Sequence, residues 1–325
     1  MSGPAITQAP YRVVWQPDQV ADRLLLLDAP SLYFRAFFGV PDTVRAPDGT
    51  PVNAVRGFLD FVARLVTDRQ PTRLVAAMDA DWRPAFRVAA LPSYKAHRVA
   101  PAGDGEVVPD AIVPQVAVIQ DCLDALGLCW FGVPGYEADD VLGTLATASR
   151  VPTEVVTGDR DLFQLVDDAR KVRVLYVAAK GVGAAEVYDE ARLREKYAVA
   201  SGEAYAEFAL LRGDPSDGLP GVPGVGEKTA AALLARYGTL AGLRAAVDAG
   251  DKGLSAPQLQ RLRAASAYLD AAPVVVRVAR DAPVPEHDDR LPREPRDTAR
   301  WQELVERWGL GGAADRVTAA LSAAR

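Results

Sequence analysis

Three apolar segments that each end in an aspartate constrain the fold most strongly. Residues 23–28 read RLLLLD, residues 74–79 read LVAAMD and residues 153–159 read TEVVTGD. Short apolar runs of this kind are typical of strands buried in a parallel sheet. Helical spacing of apolar residues over 53–66 and 113–126 separates them, and a further strand is predicted at 129–131. This alternation predicts an α/β fold with a mostly parallel central sheet flanked by helices.

The ends of these strands gather carboxylates at one edge of the sheet, where open α/β sheets bind their ligands. An acidic run before the helix predicted over 141–148 and a later Gly-rich loop add further acids. Nine carboxylates are candidates for this edge: Asp28, Asp79, Glu137, Asp139, Asp140, Asp159, Asp161, Asp214 and Asp217. Unneutralised, they would repel one another or take up protons.

Divalent cations resolve that repulsion, because hard cations prefer carboxylate oxygens. Two ions about 3.5–4 Å apart can hold the attacking and leaving oxygens of a phosphoryl displacement. The alternative for any single acid is a turn residue or a helix cap. Three strands that end in acids, together with an acidic helix start, favour the metal site.

Cysteine and histidine are too scarce for several other kinds of site. The 325 residues include two cysteines, Cys122 and Cys129, and two histidines, His97 and His287. These numbers exclude a disulfide scaffold and a four-cysteine zinc site, and they disfavour zinc-hydrolase and serine-triad chemistry. With neither a 20-residue apolar run nor a secretory leader, we expect a cytoplasmic chain with no membrane partner. Nothing demands more than a monomer.

A basic window interrupts the acidic chain. The net charge is −6, which as a sum disfavours nucleic acid, but a sum does not describe individual faces. No acid lies between Asp81 and Asp104. The window holds five cations with three aromatic residues interleaved: Arg83, Arg87, Lys95, His97 and Arg98, with Trp82, Phe86 and Tyr94. Such a mixture is typical of surfaces that bind a sugar–phosphate chain and unstacked bases, although a solvated surface helix would look similar.

A glycine-rich segment is the second candidate for phosphate contact. Residues 219–230 read LPGVPGVGEKTA and lead into a helix predicted over 229–237. Backbone N–H groups at such a turn face an anion, and Lys228 and Thr229 add side-chain donors. The pattern resembles the helix-hairpin-helix element, which grips duplex phosphates without reading bases. A plain loop with capping glycines is the alternative.

Together these segments resemble the bacterial 5′-nuclease (flap endonuclease) family, which includes the N-terminal 5′→3′ exonuclease domain of DNA polymerase I and its free-standing relatives. The matching residues follow the family's order over about 23–270: Asp28 with Ser31 and Arg35, Met78-Asp79-Ala80, Phe86-Arg87, Tyr94 to Arg98, Glu137 to Asp140, Thr157 to Asp161, Gly213-Asp214 with Asp217, and Leu219 to Ala230. Three positions depart from it. Ala29-Pro30 replaces a usual Gly-Ser, Phe34 a usual Tyr, and Gly218 a usual Asn.

The resemblance implies a PIN-like 5′-nuclease core over 23–200 with a helical arch or clamp at 83–110. A helix-hairpin-helix helical region and tail would occupy 201–325, after an N-terminal extension of 22 residues. It also implies Mg²⁺ or Mn²⁺ at two or more sites. Asp28, Asp79, Glu137, Asp139 and Asp140 would hold the first ion, and Asp159, Asp161, Asp214 and Asp217 would form the second, partly outer group.

Further roles follow from the same resemblance. Lys95 and Arg98 would stabilise charge on the scissile phosphate. Phe34 would stack on a terminal base, while Arg35 and Arg87 would contact DNA. The hairpin residues Gly224, Gly226, Lys228 and Thr229 would hold the duplex backbone, where the family also binds K⁺.

The implied function is hydrolysis of DNA, and of RNA primers in RNA–DNA hybrids, near 5′ ends, flaps and nicks during replication and repair, in a nucleoid-associated protein. Three alternatives stay open. They are an RNA-directed nuclease of the same fold, a non-catalytic DNA-structure-binding protein, and an acid-based small-molecule phosphohydrolase, which would leave the hairpin and the basic window unexplained.

Overall fold

A six-stranded sheet forms the centre of the molecule. The computed structural model describes residues 22–101, 103 and 105–324, so nearly all of the expected N-terminal extension lies outside the described residues. The strand order is β3-β2-β1-β4-β5-β6. The strands are β1 (Leu24–Asp28), β2 (Arg73–Ala77), β3 (Cys129–Phe131), β4 (Thr153–Thr157), β5 (Val172–Tyr176) and β6 (Glu186–Tyr188). The first five are parallel and β6 runs antiparallel to β5, which confirms the mostly parallel sheet.

Thirteen α-helices occur in the part of the chain that the structure describes. They are α1 (Ala29–Gly39), α2 (Asn53–Arg69), α3 (Ala85–Ala90), α4 (Val113–Leu126), α5 (Ala138–Ala148), α6 (Glu190–Tyr197), α7 (Gly202–Arg212), α8 (Glu227–Tyr237), α9 (Leu240–Ala249), α10 (Ala256–Ala264), α11 (Ser266–Val276), α12 (Thr298–Trp308) and α13 (Gly311–Ala323). None of the helices within those described ranges is long and apolar enough to cross a membrane.

Both faces of the sheet are buried, which explains the continuous apolar strands. Leu24 and Leu26 belong to one hydrophobic cluster, whereas Leu25 and Leu27 belong to the other. This division follows from the alternation of side chains along a strand. The first cluster includes residues of α5, α7, α8 and α11, and the second includes residues of α1, α2, α4, α12 and α13.

The helical region that follows the sheet contains the glycine hairpin. Helices α7 and α8 are joined by residues 213–226, and α8 begins directly after Gly226. Their apolar residues, such as Phe208 and Leu233, join the same cluster as Leu26 of β1. This region therefore shares a core with the sheet.

The C-terminal tail returns to the α/β core. Residues between α11 and α12 run extended along β2, where Asp289 O accepts a hydrogen bond from Leu74 N (2.8 Å) and Thr72 O accepts one from Leu291 N (2.9 Å). Helices α12 and α13 then pack against α4 and α2. The tail, grouped by sequence with the helical region, thus covers the second face of the sheet. A cavity of about 710 Å³ near the amino ends of the strands is lined by both Asp22 and Ala324.

The clamp (residues 83–110) is not the helical arch that was expected. Its described residues contain only the short helix α3, one 3₁₀ turn at Ala96–Arg98 and a bridge between Val99 and Glu106. Pro84 lies just before α3 and Pro92 just after it. Because proline removes a backbone donor and clashes with the preceding turn, a continuous helix cannot pass through these positions.

Candidate active site

A cleft of about 360 Å³ lies at the carboxyl ends of the strands. Six of the nine predicted carboxylates line it, together with three of the other predicted residues: Asp28, Asp79, Glu137, Asp139, Asp159 and Asp214, with Phe34, Lys95 and Arg98. The parallel topology brings them together, since β1, β2 and β4 end side by side.

Asp28 is the most enclosed of the acids that line the cleft on the strand side. Its side chain is buried, with 4% of the residue exposed. Oδ2 accepts a hydrogen bond from Thr157 Oγ1 at the end of β4 (2.6 Å), and Oδ1 accepts one from Ser31 N (3.1 Å). The pKa of Asp28 is raised to about 7: burial is the largest cause and the negative charges of Asp159 and Asp79 add to it, while the two hydrogen bonds oppose the shift.

The first turn of α5 supplies Asp139 beside Asp28. Ala138 N donates to Asp79 Oδ1 (2.8 Å), which ties the chain after β2 to the start of this helix. Burial raises the pKa of Asp139 well above its usual value, and the charges of Asp28 and Asp159 add to the effect. The acids of the cleft therefore repel one another, and the cleft attracts protons or cations.

The clamp supplies cations to this acidic edge. Lys95 Nζ donates to Glu137 Oε2 (2.7 Å), and the buried Tyr94 hydroxyl donates to Glu137 Oε1 (2.7 Å). Arg98 Nη2 donates to Asp217 Oδ1 (2.7 Å). Both predicted catalytic cations thus lie in the cleft, paired with predicted metal ligands.

A second group of acids adjoins the first. Asp214 lines the cleft and accepts hydrogen bonds from the backbone and hydroxyl of Ser216. Asp161 and Asp217 lie next to the cleft but do not line it. Burial raises the pKa of Asp161, and the nearest contributing charges are those of Asp159, Asp217 and Asp214. The four acids predicted as a second group are therefore neighbours.

Asp140 and Arg87 do not face the cleft, contrary to prediction. Asp140 is fully buried, and both of its oxygens accept hydrogen bonds from Arg87 (2.6 and 2.8 Å). Its remaining acceptor sites bind the backbone N–H groups of Ala279 (2.7 Å) and Glu137 (3.1 Å). A buried carboxylate with four internal donors has no free oxygen for an ion. Asp140 is therefore a structural ion-pair residue, and Arg87, 2% exposed, is its partner and not a DNA contact.

The remaining predicted DNA-binding residues lie outside the cleft. Arg35 Nη1 donates to Ala178 O beyond β5 (3.3 Å). Gly224 has a φ of +75°, and a Cβ there would meet the guanidinium of Arg261, so the turn requires glycine. Gly226 precedes α8 without a side-chain cap, Lys228 is exposed and Thr229 is half-buried. The hairpin is thus a separate surface, and its DNA contacts stay a prediction.

Sequence reasoning gave no individual role to several residues that line the cleft. Trp82, Glu106, Arg160 and Ser216 are among them. Trp82 is one of three aromatic residues in the basic window, but the periodicity of the sequence does not indicate which of the three faces the cleft. Glu106 lies just after the window, and no pattern in the sequence distinguishes it from other acids.

The donor set fits a hard divalent cation in its chemistry, since the cleft is lined by carboxylates, and burial together with the charges of neighbouring acids raises the pKa of Asp28 and of Asp139. Over the described ranges, however, no group of three or more His, Cys, Asp or Glu side chains is already arranged as a metal site. Lys95 and Tyr94 occupy the oxygens of Glu137 in this arrangement.

The chain matches two family descriptions in succession. Residues 23–198 match "5'-3' exonuclease, N-terminal resolvase-like domain" and residues 200–299 match "5'-3' exonuclease, C-terminal SAM fold". A 5'-3' exonuclease of Streptomyces coelicolor is 62% identical over 303 residues, covering 92% of this chain and all of the relative. DNA polymerase I of Mycobacterium bovis is 38% identical over 94% of this chain, which spans 33% of that relative.

The fold also matches a solved structure. The T5 D15 protein, co-crystallised with metal ions, superposes with a TM-score of 0.61 at 17% identity, covering 92% of this chain and 98% of the other. At that identity the likeness shows the fold alone. The α/β core with an appended helical region, expected from the sequence, is confirmed.

Proposed function

Because the chain belongs to the 5'-3' exonuclease family, we propose that it is a structure-directed 5′→3′ exonuclease and flap endonuclease that hydrolyses DNA phosphodiesters near 5′ ends. The observation that carries this proposal is the cleft, where seven carboxylates from different strands and loops meet three cations and two aromatic side chains. This combination suits phosphoryl transfer, whose catalysis is mostly positioning and charge stabilisation.

Asp28, Asp79, Glu137 and Asp139 would hold one Mg²⁺ or Mn²⁺, and Asp159, Asp161, Asp214 and Asp217 a second. Such ions supply a hydroxide nucleophile at neutral pH and stabilise the leaving oxygen. Asp140 leaves the predicted ligand set because Arg87 occupies it.

The residues around the acids bind and orient the substrate. Lys95 and Arg98 lie on the clamp at the cleft, where their charges would stabilise the scissile phosphate. Phe34 lies close enough to the acids to stack on a terminal base. The hairpin, with its glycines, Lys228 and Thr229 and a K⁺ ion, would anchor the downstream duplex, and Arg35 would contact the DNA beside α1.

We propose further that the protein works as a cytoplasmic, nucleoid-associated monomer in replication and repair, on DNA flaps, nicks and RNA–DNA hybrids. An RNA-directed nuclease of the same fold is the alternative among enzymes. Competition between DNA and RNA flaps of one sequence distinguishes them: the proposal requires that DNA inhibit cleavage of RNA more strongly than the reverse.

The decisive experiment is cleavage of a labelled 5′-flap DNA with Mg²⁺ or Mn²⁺ and with EDTA, comparing wild type with Asp139→Ala. We expect metal-dependent products near the junction that fall by at least about 100-fold in the variant. Asp68→Ala, which alters an exposed ion pair on α2, is the matched control and should cut normally. A wild type that binds the flap and never cuts it would be a DNA-structure binder instead.

A further inference from the structure

The three aromatic residues of the basic window lie in three different environments. Tyr94 is buried, at 3% exposure, and its hydroxyl is bonded to Glu137. Phe86 packs on Tyr136 with ring centroids 5.8 Å apart and does not line the cleft. Trp82 alone of the three lines the cleft, and the residue is half-buried there. The window therefore presents one aromatic surface to the carboxylates.

Packing does not account for this indole. Trp82 joins neither hydrophobic cluster and pairs with no other aromatic ring within the described residues. Phe34, the other aromatic residue of the cleft, does pack against the second cluster and lies 5.2 Å from the Tyr33 ring. A half-buried indole that lines the cleft and packs in neither cluster offers an aromatic face to a molecule that enters the cleft, and such a face beside cations suits an unpaired base.

The backbone around Trp82 is held on both sides. Asp81 N donates to Tyr136 O (3.1 Å), and Arg83 Nε donates to Tyr94 O (2.6 Å). Trp82 O itself accepts a hydrogen bond from Lys95 Nζ (3.3 Å). The indole thus stands on a fixed turn that is bonded directly to the cation proposed to contact the scissile phosphate. Because the backbone is held in this way, binding at the indole needs no ordering of the turn that carries it.

We infer that Trp82 is a nucleobase-binding residue that stacks on one unpaired base next to the scissile phosphate. This inference rests on the proposed function and specifies its substrate. A base in this position would have its phosphate beside Lys95 and its apolar face on the indole. The cleft, at about 360 Å³, is at the small end of ligand-site volumes and suits one nucleotide better than a duplex. Stacking accepts any base, so recognition would follow strand structure and not sequence.

The test measures flap binding by fluorescence anisotropy in EDTA, with wild type, Trp82→Ala and Trp82→Phe. Each of the three nucleotides around the junction is replaced in turn by an abasic residue. In wild type, one abasic position should weaken binding by roughly 5- to 150-fold. Trp82→Ala should weaken binding of the intact flap by a similar factor and show no further loss at that position, because the base and the indole act together.

Two variants sharpen the interpretation. Trp82→Phe keeps an aromatic face and should restore most of the abasic response. Phe86→Ala changes the same segment outside the cleft and should keep the full wild-type response. Circular dichroism melting confirms that each variant is folded.

The inference is overturned if Trp82→Ala loses as much affinity as wild type at every abasic position. That result leaves the proposed function intact when metal-dependent cleavage is still observed. A wild type that neither binds nor cuts the flap would instead reject the proposed function, and this inference with it.

Discussion

Asp140 is the residue whose environment decides its role most clearly, because Arg87 and two backbone N–H groups satisfy its carboxylate inside the protein. Removing one partner of a buried ion pair leaves the other charge uncompensated. We expect Asp140→Ala to lower the free energy of unfolding by about 3–5 kcal/mol, measured by urea denaturation. Asp68→Ala, from an exposed pair, should cost less than about 1 kcal/mol. If Asp140→Ala loses cleavage activity without losing stability, Asp140 is a metal ligand and not a structural residue.

Asp28 makes stability depend on pH in the metal-free protein. Its pKa is about 7 in the folded state against an ordinary 3.8, so the folded state binds more protons between these values. Stability therefore falls as pH rises from about 4 to 7. In EDTA, we expect the free energy of unfolding to be larger at pH 5 than at pH 8, with Asp28 contributing on the order of 1–3 kcal/mol. Asp28→Asn should make the profile less steep, with the remaining slope due to neighbours such as Asp79 and Asp139, whose pKa values are also raised. An unchanged slope would contradict the contribution assigned to Asp28.

Single residues also show where sequence reasoning stops. Asp28, Asp79 and Asp159 could be placed together because each follows a buried strand of one parallel sheet. Asp139 and Asp140 could not be told apart, since neighbours on a helix point about 100° apart and one direction leads to the cleft. The partner that identifies Asp140 as structural is Arg87, which lies 53 positions away in the sequence.

Among the elements, the clamp is joined to the loop at residues 213–218 by four hydrogen bonds. Lys95 N donates to Asp217 O (2.9 Å) and Ser93 Oγ to Gly218 O (2.8 Å), while Arg98 Nη2 donates to Ser216 O (2.7 Å) and to Asp217 Oδ1 (2.7 Å). Gly218 has a φ of +74°, and a Cβ there would overlap the Ser93 carbonyl oxygen. A side chain at position 218 is therefore incompatible with the observed contact between the clamp and the loop.

We expect Gly218→Ala to release the clamp, so that trypsin cuts after Lys95 and Arg98 several-fold faster than in wild type. Gly49→Ala is the matched control, since Gly49 also has positive φ but its Cβ would meet nothing within 4 Å. The Gly49→Ala control therefore has the backbone strain of a positive φ, about 1–2 kcal/mol, without a steric clash. Equal digestion of the clamp in both variants would show that the contact with the loop does not hold it.

Regular elements with a strong apolar pattern were predictable at close to their observed bounds, as with α4 and β3. Strands β5 and β6 were not predicted, because each contains an exposed residue, Arg173 in β5 and Val187 in β6, and so lacks a continuous buried run. The clamp was expected to be helical on resemblance, and the prolines around α3 prevent it. The local apolar pattern thus identified elements such as α4 and β3. It missed β5, β6 and the conformation of the clamp.

At the scale of the whole molecule, the described residues form two hydrophobic clusters, and each includes residues that follow residue 200. Leu26 of β1 shares its cluster with Phe208 and Leu233, and Leu25 shares the other with Leu321 of α13. A fragment of residues 1–200 would lose the part of each cluster that these later helices supply and would expose apolar surface on both faces. We expect it to lack the single cooperative thermal transition of the full chain, as measured by circular dichroism. A fragment melting at the full chain's temperature would show that the core is independent.

The cavity that both Asp22 and Ala324 line has a practical consequence for anything attached to this chain. The first and last described residues lie at the amino ends of the strands, whereas the carboxylate cleft lies at their carboxyl ends. A surface anchor or a fluorescent reporter attached at Asp22 or at Ala324 would therefore be tethered on the far side of the sheet from the cleft. Immobilised through one of these two residues, the protein would present its cleft outward, which suits single-molecule observation of strands entering it.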